Sequence, residues 1–219
     1  MTLLDFARGP ALEFALAVFC LGVLWRLVSL LFLPWIHDRS AKRPGAPSAL
    51  VGAARGFVQH MWPAEAYLRN SLFATINGYV FHVGLAVVVF GLGQHILFIK
   101  GLSGLHWPNL PTGVISAAAI MTLASLLAAL VRRVSHPVTR LLSTFNDYFS
   151  WLITILPVVT GVIAINHFWE PYETLLAIHI LSVAALLIWF PFGKLMHAFL
   201  VFVTRSETGI FYSRRGAQI

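Results

Sequence analysis

Four of the nine histidines in this 219-residue chain lie inside long apolar stretches: His82, His95, His179 and His197. A polar side chain within a membrane is costly and normally has a partner there. One such histidine is more often a packing residue, but two on each of two stretches suggest a shared purpose. A neutral imidazole is a good ligand for haem iron, and two imidazoles can hold the iron from opposite sides. We therefore interpret the four as two pairs of iron ligands.

The other ligand-type residues carry less information. Cys20 is the single cysteine, which excludes a disulfide framework, a cysteine-ligated iron–sulfur cluster and the attachment of c-type haem. The remaining histidines fall in predicted loops or at helix ends, where water or headgroups hydrate them: His37, His60, His106, His136 and His167. We interpret these as ordinary surface residues.

The composition indicates that lipid is the solvent. Hydrophobic residues make up 58% of the chain and charged residues only 11%, whereas a soluble domain carries about 25% charged residues. The net charge of +7 does not indicate nucleic-acid binding. The basic residues lie between apolar runs, as they do at the cytoplasmic ends of membrane helices.

Five stretches reach the roughly 20 apolar residues that a membrane-spanning helix needs. The sequence thus predicts an all-α integral membrane protein with one membrane domain, whose spans cover residues 11–35, 72–99, 112–131, 146–165 and 174–203. A long loop, 36–71, follows the first span, and a basic tail, 204–219, follows the fifth. Within the loop, residues 51–62 are predicted either as a short helix at the membrane interface or as ordinary loop.

Charge predicts the orientation, because cytoplasmic loops carry an excess of Lys and Arg. On one side of the predicted spans lie Arg39, Lys42, Arg43, Arg55, Arg69, Arg132, Arg133, Arg140, Arg205, Arg214 and Arg215. The other side holds only Arg8 and Lys100. We expect the N-terminus outside and the C-terminus in the cytoplasm, which is the parity that five spans require.

The pairing of the histidines follows from antiparallel packing of the second and fifth spans. His95 then lies level with His179 toward the outside, and His82 level with His197 toward the cytoplasm. The thirteen-residue step on the second span covers roughly 20 Å, and the eighteen-residue step on the fifth roughly 27 Å. Eighteen residues make five full turns and keep one helix face, whereas thirteen turn His95 away from the direction of His82.

A macrocycle needs small residues and cations nearby. Room is predicted at Gly78, Gly84, Gly91, Gly93 and Gly161, although glycine is equally common at membrane helix contacts. Candidates to contact the haem propionates of the inner group are Arg69, Arg132, Arg133, Arg140 and Lys194. These cations are equally explained as ordinary residues of the cytoplasmic side.

The segment from His179 to His197, with its Phe190-Pro191-Phe192 ending before Lys194, resembles the fifth helix of the gamma, cytochrome b subunit of respiratory nitrate reductase. The start Phe81-His82-Val83-Gly84 and the stretch from Ala17 to Arg26 resemble it too. Cytochrome b subunits of sulfite-reductase-linked, heterodisulfide-reductase-like and hydrogenase-linked complexes share that membrane fold. The resemblance departs at Leu92, which stands where the second ligand of that helix is expected; the next histidine is His95, about one turn later. Either His95 is the outer ligand, as we expect, or the outer haem is held differently or is absent.

The resemblance implies a function in a bacterial or archaeal cytoplasmic membrane. The chain would be the quinone-reactive, electron-transfer subunit of an oxidoreductase complex, holding two haem b groups. It would exchange electrons between menaquinone or ubiquinone, near the outer haem, and a cytoplasmic iron–sulfur partner chain. Candidates for the quinone site at the outer end are Lys100, His106 and Trp107, with anchoring in the headgroup region as the alternative.

Two other functions remain open from the residues alone. A transporter or proton channel would need carboxylates within the membrane, and only Asp147, at the start of the fourth span, approaches that description. A haem-free membrane anchor is the other alternative.

Overall fold

The computed structural model describes residues 1–34, 40–166 and 171–217, and within these ranges the chain forms helices and no β-strand. Five helices are long and apolar enough to span a membrane: Leu3–Phe32, Glu65–Gly91, Thr112–Ser135, Phe145–Asn166 and Tyr172–Trp189. Few residues of these helices are buried inside the protein, so large apolar side chains form much of its outer surface. Such a surface suits lipid, and the all-helical fold with five such helices confirms the predicted fold class at that level.

The helix bounds are these: α1 Leu3–Phe6, α2 Leu12–Ser29, α3 Ala49–Gln59, α4 Glu65–Gly91, α5 Gly93–Ser103, α6 Thr112–Ser135, α7 Pro137–Leu142, α8 Phe145–Asn166, α9 Tyr172–Trp189 and α10 His197–Arg215. A π-helical turn, Ala7–Ala11, joins α1 to α2, so the first long helix begins before residue 11, where the prediction placed its start. Trp35, its predicted end, lies outside the described residues.

The chain divides into two compact units. The first consists of Met1–Leu16 and Ile76–Trp189, and the second of Ala17–Thr75 and Phe190–Ile219. In the first unit α8 packs along α9 and against α6. Trp151 of α8 donates its indole N–H to the Leu126 carbonyl of α6 at 2.7 Å. Asn77 and Ser125 exchange hydrogen bonds that tie α4 to α6.

The predicted second span, 72–99, is not one straight helix. Leu92 is extended, with φ −75° and ψ 128°, so α4 ends at Gly91 and α5 begins at Gly93. A break of this kind strands backbone carbonyls, which need new partners within a membrane. Two donors supply them: the Trp107 indole to Phe90 O at 2.6 Å and the Leu110 amide to Gly91 O at 2.9 Å. The His95 ring donates at 3.1 Å to Val88 O, which also keeps its helical partner, the Leu92 amide, at 3.3 Å.

The structure also differs from the prediction of one span over 174–203. The helix stops at Trp189, and Pro191 follows within a turn before α10 begins at His197. Proline cannot donate to the helix ladder and its ring clashes with the preceding turn. His179 and His197 therefore lie on two separate helices and do not share a face of one helix, as the prediction had assumed. The predicted tail, 204–219, is helical as far as Arg215.

In the second unit, the loop predicted over 36–71 contains α3, which is the helical alternative. α3 packs antiparallel against α10, with Gly52 beside Ile210 and Ser213, and Gly56 beside Arg205. Gly209 of α10 lies at the same crossing. Small residues allow such close approach of two backbones.

Candidate functional site

The structure brings together one of the two predicted histidine pairs. His95 of α5 and His179 of α9 face each other, with ring centroids 6.2 Å apart and ring planes 20° from parallel. Both side chains are half-buried within the first unit. His95, which lies about one turn beyond the position expected from the family resemblance, thus faces His179, the partner that antiparallel packing predicted for it.

The distance between the two rings matches what a shared iron would need. A metal–imidazole bond is about 2 Å, and each ligating nitrogen lies about 1 Å from its ring centre, so ring centres across one metal lie about 6 Å apart. No cluster of three or more His, Cys, Asp or Glu side chains occurs among the described residues. A haem would need no such cluster, because the porphyrin would supply most of the ligands of the iron and two side chains would be enough.

The second nitrogen of each ring is held by a hydrogen bond. His95 Nδ1 lies 3.1 Å from the Val88 carbonyl, to which it can only donate. His179 Nδ1 lies 3.2 Å from the Thr160 hydroxyl of α8. Metal-binding histidines usually engage the ring nitrogen that does not bind the metal in this way, which fixes the tautomer and the ring orientation. The arrangement leaves Nε2 of both rings for a metal.

Gly161 of α8 makes room for the His179 ring. A Cβ atom at this position would lie 3.1 Å from Cε1 and 3.3 Å from Nδ1 of His179. This is closer than ordinary van der Waals contact, so any larger residue would displace the ring. Gly161, one of the glycines predicted to make room for a macrocycle, thus makes room for the proposed ligand His179.

The other predicted pair is divided between the two units, His82 in the first and His197 in the second, and stays a prediction. Both side chains are exposed. His82 Nδ1 lies 2.7 Å from Gly78 O, and His197 Nδ1 lies 2.9 Å from Lys194 O. His60, which we do not interpret as a ligand, makes the same kind of bond, so this bond alone does not mark a ligand.

One predicted propionate contact has another partner. Arg133 Nη1 lies 2.9 Å from Asp147 Oδ1 and donates to Ser143 Oγ at 2.9 Å. The Asp147 side chain is only 5% exposed, and its other oxygen accepts from the backbone and hydroxyl of Thr144. This ion pair neutralises Asp147, the carboxylate on which the alternative function of transporter or proton channel depends. Of the other candidate cations, Arg132 is half-buried and three are exposed: Arg69, Arg140 and Lys194.

The three quinone-site candidates differ in what they can offer. Lys100, near the end of α5, and His106, in the loop after it, are both exposed. Trp107 donates its one N–H to the Phe90 carbonyl, so it serves the helix break and has no polar hydrogen left for a quinone. His37 and His167, interpreted as surface residues, lie outside the described residues.

Two features of the site were not predicted from the sequence. Thr160 and Ser182 form a hydroxyl pair beside His179, with their oxygens 2.9 Å apart. Ser182 lies three residues after His179 on the same helix, a spacing that could have indicated it. Thr160 comes from a different helix, and nothing local in the sequence points to its contact.

Comparison with known proteins finds a relative with almost the same extent. A Nitratidesulfovibrio vulgaris (strain Hildenborough) protein, described only as "Protein", is 32% identical over 214 residues, which cover 96% of this chain and 94% of the relative. No protein-family model matches the chain, and no solved structure matches it. The chain belongs to the same family as this Nitratidesulfovibrio vulgaris protein.

Proposed function

We propose that the chain is a membrane di-haem cytochrome b subunit of a respiratory oxidoreductase complex. The observation that carries the proposal is the facing pair, His95 and His179, at a ring separation of 6.2 Å. The resemblance to the nitrate reductase gamma-type subunits supports it independently, through the His179–His197 segment.

The chain's own residues bind and orient the outer group. His95 and His179 supply one ring from α5 and one from α9, and each ring is held through Nδ1. Haem b, if bound by these two imidazoles, would supply a one-electron carrier. Half-burial of both rings limits the access of water, and the Leu92 break aims His95 at its partner. The inner haem is proposed to use His82 and His197.

The route of electrons follows from the distribution of charge and from the resemblance. Quinol is proposed to react at the outer end, near Lys100 and His106. The C-terminus and the basic loops are proposed to face the cytoplasm, where a separate iron–sulfur chain exchanges electrons with the inner haem. The chemistry on the terminal substrate belongs to partner chains, and the membrane is the cytoplasmic membrane of a bacterium or archaeon.

Purification of the chain in mild detergent from haem-replete cells tests the proposal. We expect about two haem b groups per chain, split α bands after dithionite, and reduction of one haem by a menaquinol or ubiquinol analogue. Folded, helical and colourless protein would contradict the proposal. Protein that binds haem but is not reduced by quinol would retain the cytochrome assignment and reject the quinone-linked one.

A further inference from the structure

The Thr160 hydroxyl lies at the centre of a polar cluster between α8 and α9. Its oxygen lies 3.2 Å from His179 Nδ1, 2.9 Å from Ser182 Oγ and 2.8 Å from the Leu156 carbonyl. Ser182 donates to the His179 carbonyl at 2.6 Å. All of these groups belong to the first unit, and the hydroxyls of Thr160 and Ser182 lie in largely apolar helices.

One assignment of the hydrogens connects His179, Thr160 and the Leu156 carbonyl, with the single Ser182 hydrogen shared between the His179 carbonyl and Thr160 Oγ1. With Nε2 reserved for iron, His179 carries its hydrogen on Nδ1 and donates it to Thr160 Oγ1. Thr160 then donates its own hydrogen to the Leu156 carbonyl, so that a chain of two hydrogen bonds runs from the imidazole into α8.

From this geometry we propose that Thr160 is a positioning residue that fixes the plane of the His179 ring and tunes the electron donation of that ring to iron. The proposal rests on the proposed function, because it requires haem on His95 and His179. An acceptor on the second nitrogen makes a metal-bound imidazole a stronger electron donor, and the stronger donor favours the oxidised metal. Removing the Thr160 oxygen should therefore favour the reduced haem.

A matched threonine on the same helix separates this role from ordinary packing. Thr154 lies in α8, is half-buried as Thr160 is, and donates to the Ser150 carbonyl one turn earlier. Thr154→Val and Thr160→Val thus remove the same atoms from the same helix. Only the Thr160 substitution removes a contact with a proposed ligand.

The experiment is a redox titration and low-spin EPR of the purified haem-loaded protein, comparing the wild type with five variants. The outer haem is identified as the one that His179→Ala removes. Thr160→Val should raise its reduction equilibrium constant about threefold to tenfold, about 30–60 mV for one electron, and shift its g-values. Thr160→Ser should restore both, Thr154→Val should change neither, and Ser182→Ala should shift the equilibrium less than Thr160→Val.

Each outcome has one meaning. An unchanged potential and unchanged g-values in Thr160→Val, with outer haem bound, overturn the proposal and leave the cytochrome function standing. An equal shift in Thr154→Val also overturns it, because the effect would then be general to α8. If Thr160→Val does not fold, failure of Thr160→Ser to match the wild-type potential decides against the proposal. A wild type without haem on His179 overturns both this proposal and the proposed function.

Discussion

His179 is held from two helices, since its backbone belongs to α9 while its ring contacts Thr160 and Gly161 of α8. A ligand fixed in this way can keep its orientation before a metal arrives, which lowers the cost of ordering it on binding. The same contacts make the site sensitive to single atoms. Single substitutions next to His179 can therefore test whether these contacts hold its ring.

Gly161→Ala should weaken the outer haem site. Its new Cβ would lie 3.1 Å from His179 Cε1, and relieving such overpacking typically costs about 1–3 kcal/mol. We expect a lower haem-to-protein ratio, or an altered outer-haem spectrum, with the helical content retained. Gly113→Ala in α6 is the control, because nothing lies within 4 Å of the atom that it adds. Equal haem content and spectra in the two variants would reject the role of Gly161.

Arg133→Gln should destabilise the protein rather than empty a haem site. The substitution removes the Arg133 cation from the buried Asp147 carboxylate, and because the Arg133 side chain is 36% exposed we expect a loss of about 1–3 kcal/mol, less than for a fully buried pair. The unfolding midpoint in detergent measures it, with the exposed Arg140→Gln as control. Loss of inner haem at unchanged stability would instead restore the propionate contact predicted from the sequence.

At the scale of elements, two breaks interrupt helices that carry proposed ligands, and the predicted spans 72–99 and 174–203 ran through both of them. Pro191 marks the break after α9 directly, because proline lacks the amide hydrogen. Leu92 carries no such mark. Its extended backbone is made possible by partners that are distant in sequence, such as Trp107 and Leu110. In one straight helix, the thirteen-residue step would turn His95 away from the direction of His82. The pairing of His95 with His179 would then have no geometric explanation.

Trp107→Phe should destabilise the break. The variant keeps most of the ring but removes the donor to the Phe90 carbonyl, and a backbone acceptor that loses its partner within a membrane is costly. We expect a lower unfolding midpoint, measured by circular dichroism, and Trp62→Phe at an exposed position should show no such loss. A higher KM for quinol at wild-type stability would support the quinone-site role predicted from the sequence.

The α3–α10 crossing should respond to added methyl groups in a graded way. A Cβ at Gly52 would lie 3.2 Å from its nearest neighbours, whereas one at Gly56 would lie 2.7 Å from the Arg205 carbonyl and still closer to the backbone of Gly209. We expect Gly56→Ala to expose α10 to limited proteolysis and Gly52→Ala to do so much less. Equal protection in both variants would show that the crossing is not this close.

For the whole molecule, composition predicted the class of fold because the need to satisfy backbone groups in lipid leaves helices as the simplest solution. The five apolar stretches were therefore found from hydropathy alone, with ends that differ by up to fourteen residues, the largest difference being at the end of the fifth stretch. Tertiary contacts such as Thr160 with His179 were not predictable, since no local pattern connects positions on different helices. The pairing of His82 with His197 rests on the family resemblance and on the predicted antiparallel arrangement.

The most direct test of the central claim is a redox titration with haem quantification on His95→Ala and His179→Ala, beside His60→Ala. His60 is a matched control because its ring also bonds to a backbone carbonyl, at 2.6 Å. The account predicts that the first two variants each lose one haem, and that the same titration step disappears in both. His60→Ala should keep both steps. Two haems with wild-type potentials in His95→Ala would contradict the account.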